Sequence, residues 1–155
     1  MLPQAYLTDR QLEIWRLRQK NISQSKVGRK LGITRQSVYE AEKISFRKVE
    51  SALRDAAEVN MIEVNYIDAT NGVLLGLDPV TRNRVIVTFS AVNGMQTWHH
   101  EEPNCSQCMW TGKCQKRLLM EAEERSIEVP KEKANLTPNK LAHFIFSRMI
   151  PGLEG

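Results

Sequence analysis

The sequence has no long apolar run, no internal repeat and no low-complexity tract, and only three of its 155 residues are cysteines. A helix that crosses a bilayer needs about 20 mostly apolar residues, and no signal peptide is visible. All three cysteines fall between residues 105 and 114, which is not the pattern of a secreted disulfide scaffold. We therefore expect a soluble, cytoplasmic protein of one domain or two small ones.

What the sequence does contain begins with three helix starts near its N-terminus. Thr8 and Gln11 form a capping box, in which each side chain accepts a hydrogen bond from the other residue's backbone N–H. Ser23 caps a second, short helix that ends at Gly32, and Thr34 caps a third. A short helix, a glycine turn and a second helix are typical of a DNA-binding helix-turn-helix. At Gly28 we expect the two helices to cross closely.

This segment resembles the helix-turn-helix domains of the LuxR and sigma-region-4 class, and most of all the archaeal Tfx-like regulators. The resemblance covers about a third of the chain and implies sequence-specific transcription regulation by a dimer. It ends near Val59, so it does not imply what the regulator senses. The matching residues are Leu7, Thr8, Arg10, Gln11, Glu13, Leu17, Arg18, Ser23, Gln24, Leu31, Gly32, Thr34, Arg35, Val38 and Glu42.

The charge distribution also favours DNA as the partner. Residues 1–58 contain 12 Lys and Arg against 7 Asp and Glu, whereas residues 59–155 contain 10 against 11. The net charge of +4 therefore comes from the front of the chain. A basic surface attracts phosphates and releases their counterions. The basic residues that make up this run are Arg10, Arg16, Arg18, Lys20, Lys26, Arg29, Lys30 and Arg35.

The third helix is the candidate recognition helix, since the N-terminal residues of such a helix reach base edges in the major groove. Arg35 can pair with guanine and Gln36 with adenine, and Tyr39 either stacks on the DNA or covers Leu31. Val38 should face the core. The full set of candidate DNA-binding residues, phosphate contacts included, is Ser23, Gln24, Lys26, Thr34, Arg35, Gln36, Ser37, Tyr39 and Lys43.

The third helix continues well past Lys43, because residues 44–57 contain no glycine or proline. Apolar residues recur there at spacings of three and four, which indicates a short a/d seam: Phe46, Val49, Leu53 and Ala56. This seam could pack back on the N-terminal helices or pair with a second copy of the chain. We favour the homodimer, because helix-turn-helix proteins commonly dimerise to match two half-sites.

After residue 58 the periodicity changes to that of strands. Residues 62–68 and much of 72–78 alternate apolar and polar, and 84–89 is a β-branched run. Turn sequences separate these runs, so we expect a meander of three or four antiparallel strands. C-terminal helices would cover it, one carrying Leu118, Leu119, Ala122 and Ile127, and another starting at Thr137 and Pro138, with Leu141, Phe144, Ile145 and Met149 inside.

The predicted fold class is therefore α+β. An all-α helix-turn-helix domain, residues 1–58, precedes a domain of residues 59–155, in which C-terminal helices cover a small antiparallel meander that carries a cysteine-rich metal site.

The cysteines are the second chemical signal. Cys105, Cys108 and Cys114 have the spacing C-x2-C-x5-C, and His99 and His100 lie just upstream. Two cysteines separated by two residues can direct both thiolates at one ion, and thiolates select zinc or iron–sulfur clusters. We expect a helix to open at Gln115 and to direct the positive end of its dipole at the thiolates.

Two metals fit this pattern. The spacing resembles the [4Fe–4S] segments of endonuclease III-like repair enzymes and of fumarate–nitrate oxygen-sensing regulators, which hold the cluster with a fourth cysteine elsewhere. This chain has no fourth cysteine. Three cysteines with His99 or His100 are also a common structural zinc set. The spacing favours the cluster and the adjacent histidines favour zinc.

Two functions follow. The chain is either a DNA-binding transcription regulator that senses a redox or metal signal, or a DNA-binding protein whose zinc module is structural or binds another protein. The cysteine spacing also occurs in repair glycosylases. However, no nucleophile or paired carboxylates stand at catalytic spacing, and three thiolates with a histidine would leave zinc no position for a water beside Glu101 and Glu102. We therefore do not expect an enzyme.

Overall fold

The structure of the protein, a computed structural model, describes residues 3–99 and 104–153. A short 3-10 turn at Pro3–Ala5 leads into three helices. They are α1 (Asp9–Gln19), α2 (Gln24–Leu31) and α3 (Arg35–Val59).

All three predicted helix starts are confirmed. Thr8 and Gln11 form both hydrogen bonds of the capping box, at 3.1 and 3.2 Å. The Ser23 hydroxyl accepts from the Lys26 N–H, and Thr34 accepts from the Ser37 N–H. Gly32 ends α2 in the left-handed conformation, with φ of 68°, which glycine adopts without steric cost. Local hydrogen bonding therefore determines these boundaries.

Gly28 lies where α2 crosses the start of α3, as predicted. A Cβ atom placed there would lie 2.7 Å from the carbonyl oxygen of Ile33. That oxygen belongs to the backbone of the turn and cannot rotate away. The crossing therefore needs a residue without a side chain.

We expect Gly28→Ala to lower the free energy of unfolding by about 1–3 kcal/mol, because the added methyl overpacks the crossing. Gly112 is the matched control, since it is also helical but a Cβ there meets nothing within 4 Å. Gly112→Ala should stabilise by about 1 kcal/mol through helix propensity. Urea unfolding of both variants measures the difference, and equal effects would show that Gly28 is not in a close crossing.

The expected dimer seam on α3 is used within a single chain. Val49 and Leu53 are fully buried, and Phe46 and Ala56 pack against the same cluster. That cluster includes Trp15 from α1 together with residues of the sheet. The prediction that this seam pairs two copies was therefore wrong, and the alternative, packing back on the N-terminal helices, describes part of what is seen.

The sheet is a four-stranded antiparallel meander in the order β1-β2-β3-β4, as predicted. Its register is regular except for a shift in β1 between Val64 and Tyr66. The strands are β1 (Glu63–Asp68), β2 (Val73–Leu77), β3 (Arg84–Ser90) and β4 (Gly94–His99).

The two faces of the sheet pack on different layers of helices. Leu74, Val87 and Phe89 join the cluster of α1 and α3, whereas Ile86 and Trp98 join a cluster of C-terminal helices. Alternation along each strand separates the two sets. The C-terminal helices cover one face, as predicted, and α1 and α3 cover the other, so the sheet is the middle of three layers. The predicted boundary near residue 58 coincides with the end of α3, but the segments on either side share a hydrophobic core.

The C-terminal layer consists of α4 (Thr111–Glu124), α5 (Lys131–Ala134) and α6 (Pro138–Phe146). The predicted inner residues pack as expected, although Ile127 and Met149 lie beyond the ends of their helices. Thr137 precedes α6 and Pro138 is its first residue, as predicted. Within residues 3–99 and 104–153, no helix has both the length and the apolar character needed to cross a bilayer.

Candidate DNA-reading surface and cysteine pocket

The first turns of α3 present a polar, solvent-facing surface. Arg35 and Gln36 are exposed, Tyr39 is 46% exposed, and all three line one shallow surface depression together with Gln24. Val38 points the other way and is fully buried, as expected. Four of the predicted base-reading and flanking residues are thus brought together.

The predicted phosphate contacts surround this depression. Lys26 and Lys43 are exposed. Thr34 and Ser37 are also exposed, but their hydroxyls bond to each other at 2.9 Å and Thr34 caps the helix. Ser23 is the exposed cap of α2. For Ser23 and Thr34 the structural role is therefore visible, and a phosphate contact would be additional.

A buried carboxylate ties the three N-terminal helices together. Glu42 on α3 accepts from the Arg18 guanidinium at 2.9 Å and from the Gln24 side chain at 3.0 Å. Arg18 also donates to the carbonyl of Ile22. Arg18 is therefore committed to an internal ion pair, whereas the other basic residues of the predicted run are exposed. The sequence indicated the charge of Arg18 but not its partner.

The three cysteines converge on one pocket of about 240 Å³. Cys105 and Cys108 lie on and just after a 3-10 turn, Cys105–Gln107, and Cys114 lies on α4. The Trp110 N–H points at the Cys108 sulfur at 3.4 Å, and the Thr111 hydroxyl donates to the Cys105 carbonyl. The remaining wall comes from β4, α4 and α6, with Gln96, Thr97, Trp98, His99, Thr111, Arg117, Pro138, Asn139 and Ala142.

The thiols share a pocket but are not arranged as a ligand set. Within residues 3–99 and 104–153, no group of three or more His, Cys, Asp or Glu is close enough to hold a metal ion. His100, Glu101 and Glu102, which the sequence placed beside this site, lie outside the described residues. An ion held by Cys105, Cys108 and Cys114 would therefore draw the thiols closer together.

His99 contributes to the pocket wall from the end of β4. Strand alternation directs its side chain to the opposite face from Trp98, and its charge lowers the pKa of Asp78, though less than the backbone N–H groups of Val80 and Thr81 do. His99 thus lies close enough to Asp78 to act on it electrostatically, while it also lines the cysteine pocket.

The helix beside the cysteines begins earlier than predicted. It opens at Thr111 rather than Gln115, so Cys114 lies inside it and donates its backbone N–H to the Trp110 carbonyl at 2.9 Å. Burial raises the pKa of the Cys114 thiol, and the nearby thiols of Cys108 and Cys105 raise it further, outweighing Arg117 and Lys113. The predicted start of this helix was therefore wrong, and Cys114 lies inside its first turn rather than just before it.

Sequence reasoning missed a network of buried charges at the other end of α4. Glu121, Glu124 and Arg125 have side chains no more than 1% exposed. Arg125 pairs with Glu121, and Thr88 donates to Glu121 at 2.9 Å. The sequence gives little indication that these charges are buried, because charged residues at the end of a helix are usually solvated.

The rest of the network connects Glu124 to the sheet. Its carboxylate accepts from the Ser90 hydroxyl and from the Ala91 N–H, both at 2.6 Å. Burial raises the pKa of Glu121, although Arg125 and the Thr88 hydrogen bond act in the opposite direction. Both carboxylates act only as acceptors in these bonds.

No known protein family, curated protein or solved structure matches this chain.

Proposed function

We propose that this protein is a sequence-specific DNA-binding transcription regulator whose C-terminal part holds a metal centre in the cysteine pocket. The observation that carries the proposal is the exposed, polar start of α3, which projects Arg35, Gln36 and Tyr39 from a three-helix unit braced by Glu42. Such a helix start fits the major groove.

The surrounding surface supports DNA rather than another partner. Arg10, Arg16, Lys20, Lys26, Arg29 and Lys30 are exposed around the same helices. Phosphate contacts from such residues supply affinity, whereas base contacts supply specificity. The α3 seam is buried within one chain, so the homodimer that the resemblance implies stays a prediction and would use another surface.

The test for DNA reading uses Arg35→Ala on the full-length chain, with a site selected from random duplexes by the wild-type protein. We expect a loss of about 1–3 kcal/mol in binding and relaxed preference at one base position. Lys43→Ala is the matched control, because a phosphate contact weakens all duplexes equally. An equal loss on selected and random DNA for Arg35→Ala would reassign Arg35 to the backbone.

The cysteine pocket fits a soft metal by its donors. Three cysteines line one cavity, two of them in the C-x2-C spacing that can bend around an ion. Arg117 and Lys113 lie near enough to act on Cys114 electrostatically and would offset the charge of several thiolates. Cys105, Cys108 and Cys114 would hold either Zn²⁺ or a [4Fe–4S] cluster, and His99 and His100 are the candidate fourth ligands.

Metal content and an absorption spectrum of protein purified without oxygen separate the two metals. A cluster absorbs broadly near 400 nm (an approximate expectation for thiolate-bound iron) and indicates redox sensing. One zinc per chain in a colourless protein indicates the structural or interaction role. Protein that contains neither metal and acquires neither on reconstitution would refute this half of the proposal.

One observation favours the second candidate function, a zinc module that binds another protein. Met109 is 88% exposed and Trp110 is 54% exposed, directly between the second and third cysteines. Lys113 lies over the Trp110 ring at 4.9 Å. Exposed aromatic and methionine side chains are enriched in protein interfaces, so this tip is where such a partner would bind.

A further inference from the structure

One carbonyl oxygen joins the two halves of the molecule. The Asn71 oxygen, in the turn between β1 and β2, accepts from Arg125 Nε at 2.7 Å and from Gln19 Nε2 at 3.4 Å. Arg125 caps the end of α4, and Gln19 is the last residue of α1. The turn is thus held from both sides, by the helix that carries Cys114 and by the first helix of the DNA-reading unit.

The α4 side of this junction is rigidly built. The Arg125 guanidinium also donates to the carbonyls of Gly72 and Phe89, at 3.3 and 3.1 Å. Its pairing with Glu121 orients it from within the same helix. A shift of α4 along its axis would therefore disturb both the turn at Gly72 and the end of β3 at Phe89.

The α1 side is equally close. The Trp15 indole donates to the Ala69 carbonyl at 2.9 Å, and a Cβ on Gly72 would lie 3.0 Å from the Trp15 ring. Trp15 is fully buried. Three residues later on α1, Arg18 pairs with Glu42 of α3. A displacement of the turn would therefore also displace α1 and, through the Arg18–Glu42 pair, α3.

Two features favour a second arrangement of α1, the turn at Asn71 and α4 relative to one another. The thiols of the cysteine pocket are not yet a ligand set among the described residues, so an ion that gathers them would draw the segment of Cys105 and Cys108 and the first turn of α4 towards each other. Gln19 Oε1 is buried and has no hydrogen-bond donor within the described part of the chain. A buried acceptor without a donor is unfavourable, so a rearrangement that supplied one would be favoured.

We propose that Gln19 and Arg125 are positioning residues that transmit the metal state of the cysteine pocket to the DNA-reading helices through the carbonyl of Asn71. This inference rests on the proposed function, since it presumes both DNA binding and a metal centre. Neither residue contacts DNA or metal. Both act by setting where α1 sits relative to α4.

The test compares DNA affinity with and without metal, using full-length protein, a site selected by the wild type, and Zn²⁺ alone as the probe against chelator-treated protein. We expect the wild-type affinity to change by about tenfold or more, and by less than about threefold in Gln19→Leu and Arg125→Lys. Gln19→Leu removes the bond without leaving a charge unpaired. Arg125→Lys keeps a cation beside Glu121 but cannot reach all three carbonyls.

Glu123→Gln is the control. Glu123 is exposed and makes neither of the two bonds to Asn71, so this variant should keep the wild-type metal dependence. All variants should still bind one zinc per chain, which a general loss of structure would not allow. Metal dependence retained in both junction variants would overturn the inference, as would a wild type that binds DNA and zinc independently. A wild type that binds no DNA would refute the proposed function itself.

Discussion

Replacing Arg125 by methionine is expected to destabilise the protein by about 3–5 kcal/mol, because it leaves Glu121 and Glu124 as buried charges without their cation. The guanidinium pairs with Glu121 and also satisfies the carbonyls of Asn71, Gly72 and Phe89. Methionine fills much of the volume but donates nothing. Urea unfolding followed by circular dichroism measures the loss.

Arg54→Met is the matched control. Arg54 also pairs with a glutamate four residues earlier, Glu50, at 3.0 Å, but the two side chains are 53% and 44% exposed. Solvent-exposed pairs of this kind contribute about 0–1 kcal/mol. If Arg125→Met and Arg54→Met had similar effects, the charge network at the end of α4 would not be buried in solution.

The loss in Arg125→Met should shrink at acid pH. Burial raises the pKa of Glu121 above its ordinary value of 4.5, and Arg125 opposes that rise. Without Arg125, the folded-state pKa rises further, so the folded protein takes up a proton more readily than the unfolded chain. An acid whose pKa is raised in the folded state adds to the free energy of unfolding at low pH, and this contribution is lost as the pH rises through the folded-state pKa. The deficit relative to wild type should therefore be smaller at pH 5 than at pH 8.

The parts of the fold that were predictable depend on local hydrogen bonding. Thr8, Ser23 and Thr34 cap helices because their own side chains reach the next turn, and Gly32 ends a helix because of its own backbone freedom. The strands of the meander follow from alternation and turn residues within each hairpin. None of these features needs a partner distant in sequence.

The parts that were not predictable depend on distant partners. The α3 residues Val49 and Leu53 have a spacing that suits either a second helix or a sheet, and only the tertiary structure shows that Phe89 and Leu74 cover them. Likewise, Glu121 and Arg125 resemble a solvated helical pair until Thr88 and the turn at Asn71 are placed against them. Periodicity identifies a buried face but does not identify what covers it.

The candidate site also has parts that the sequence predicts and parts that it does not. The convergence of Cys105, Cys108 and Cys114 on one pocket agrees with their spacing, and the exposure of Arg35 and Gln36 agrees with the helix geometry. The start of α4 was misplaced, because Trp110 has no side-chain cap to announce it.

The second large effect is expected at Cys108. If three thiolates and a fourth ligand share a binding free energy of about 10–16 kcal/mol for zinc, removing one thiolate costs about 2.5–4 kcal/mol, or a factor on the order of 10² to 10³ in affinity. Cys108→Ser should therefore weaken zinc binding by that factor, as measured by competition with a chromophoric chelator. If the centre is a cluster, the same variant should lose its absorption near 400 nm, an approximate wavelength.

The exposure of Cys108 separates a ligand from a structural residue. Its side chain lies in solvent rather than in the core, so without metal Cys108→Ser should unfold at the same urea concentration as the wild type. Only the metal-loaded proteins should differ, because an ion that binds the folded state alone adds its binding free energy to the stability. Ser106→Ala, in the same segment and exposed, should change neither property. Unaltered zinc affinity in Cys108→Ser would exclude Cys108 as a ligand, since a thiolate bond of this strength cannot be lost without a measurable change.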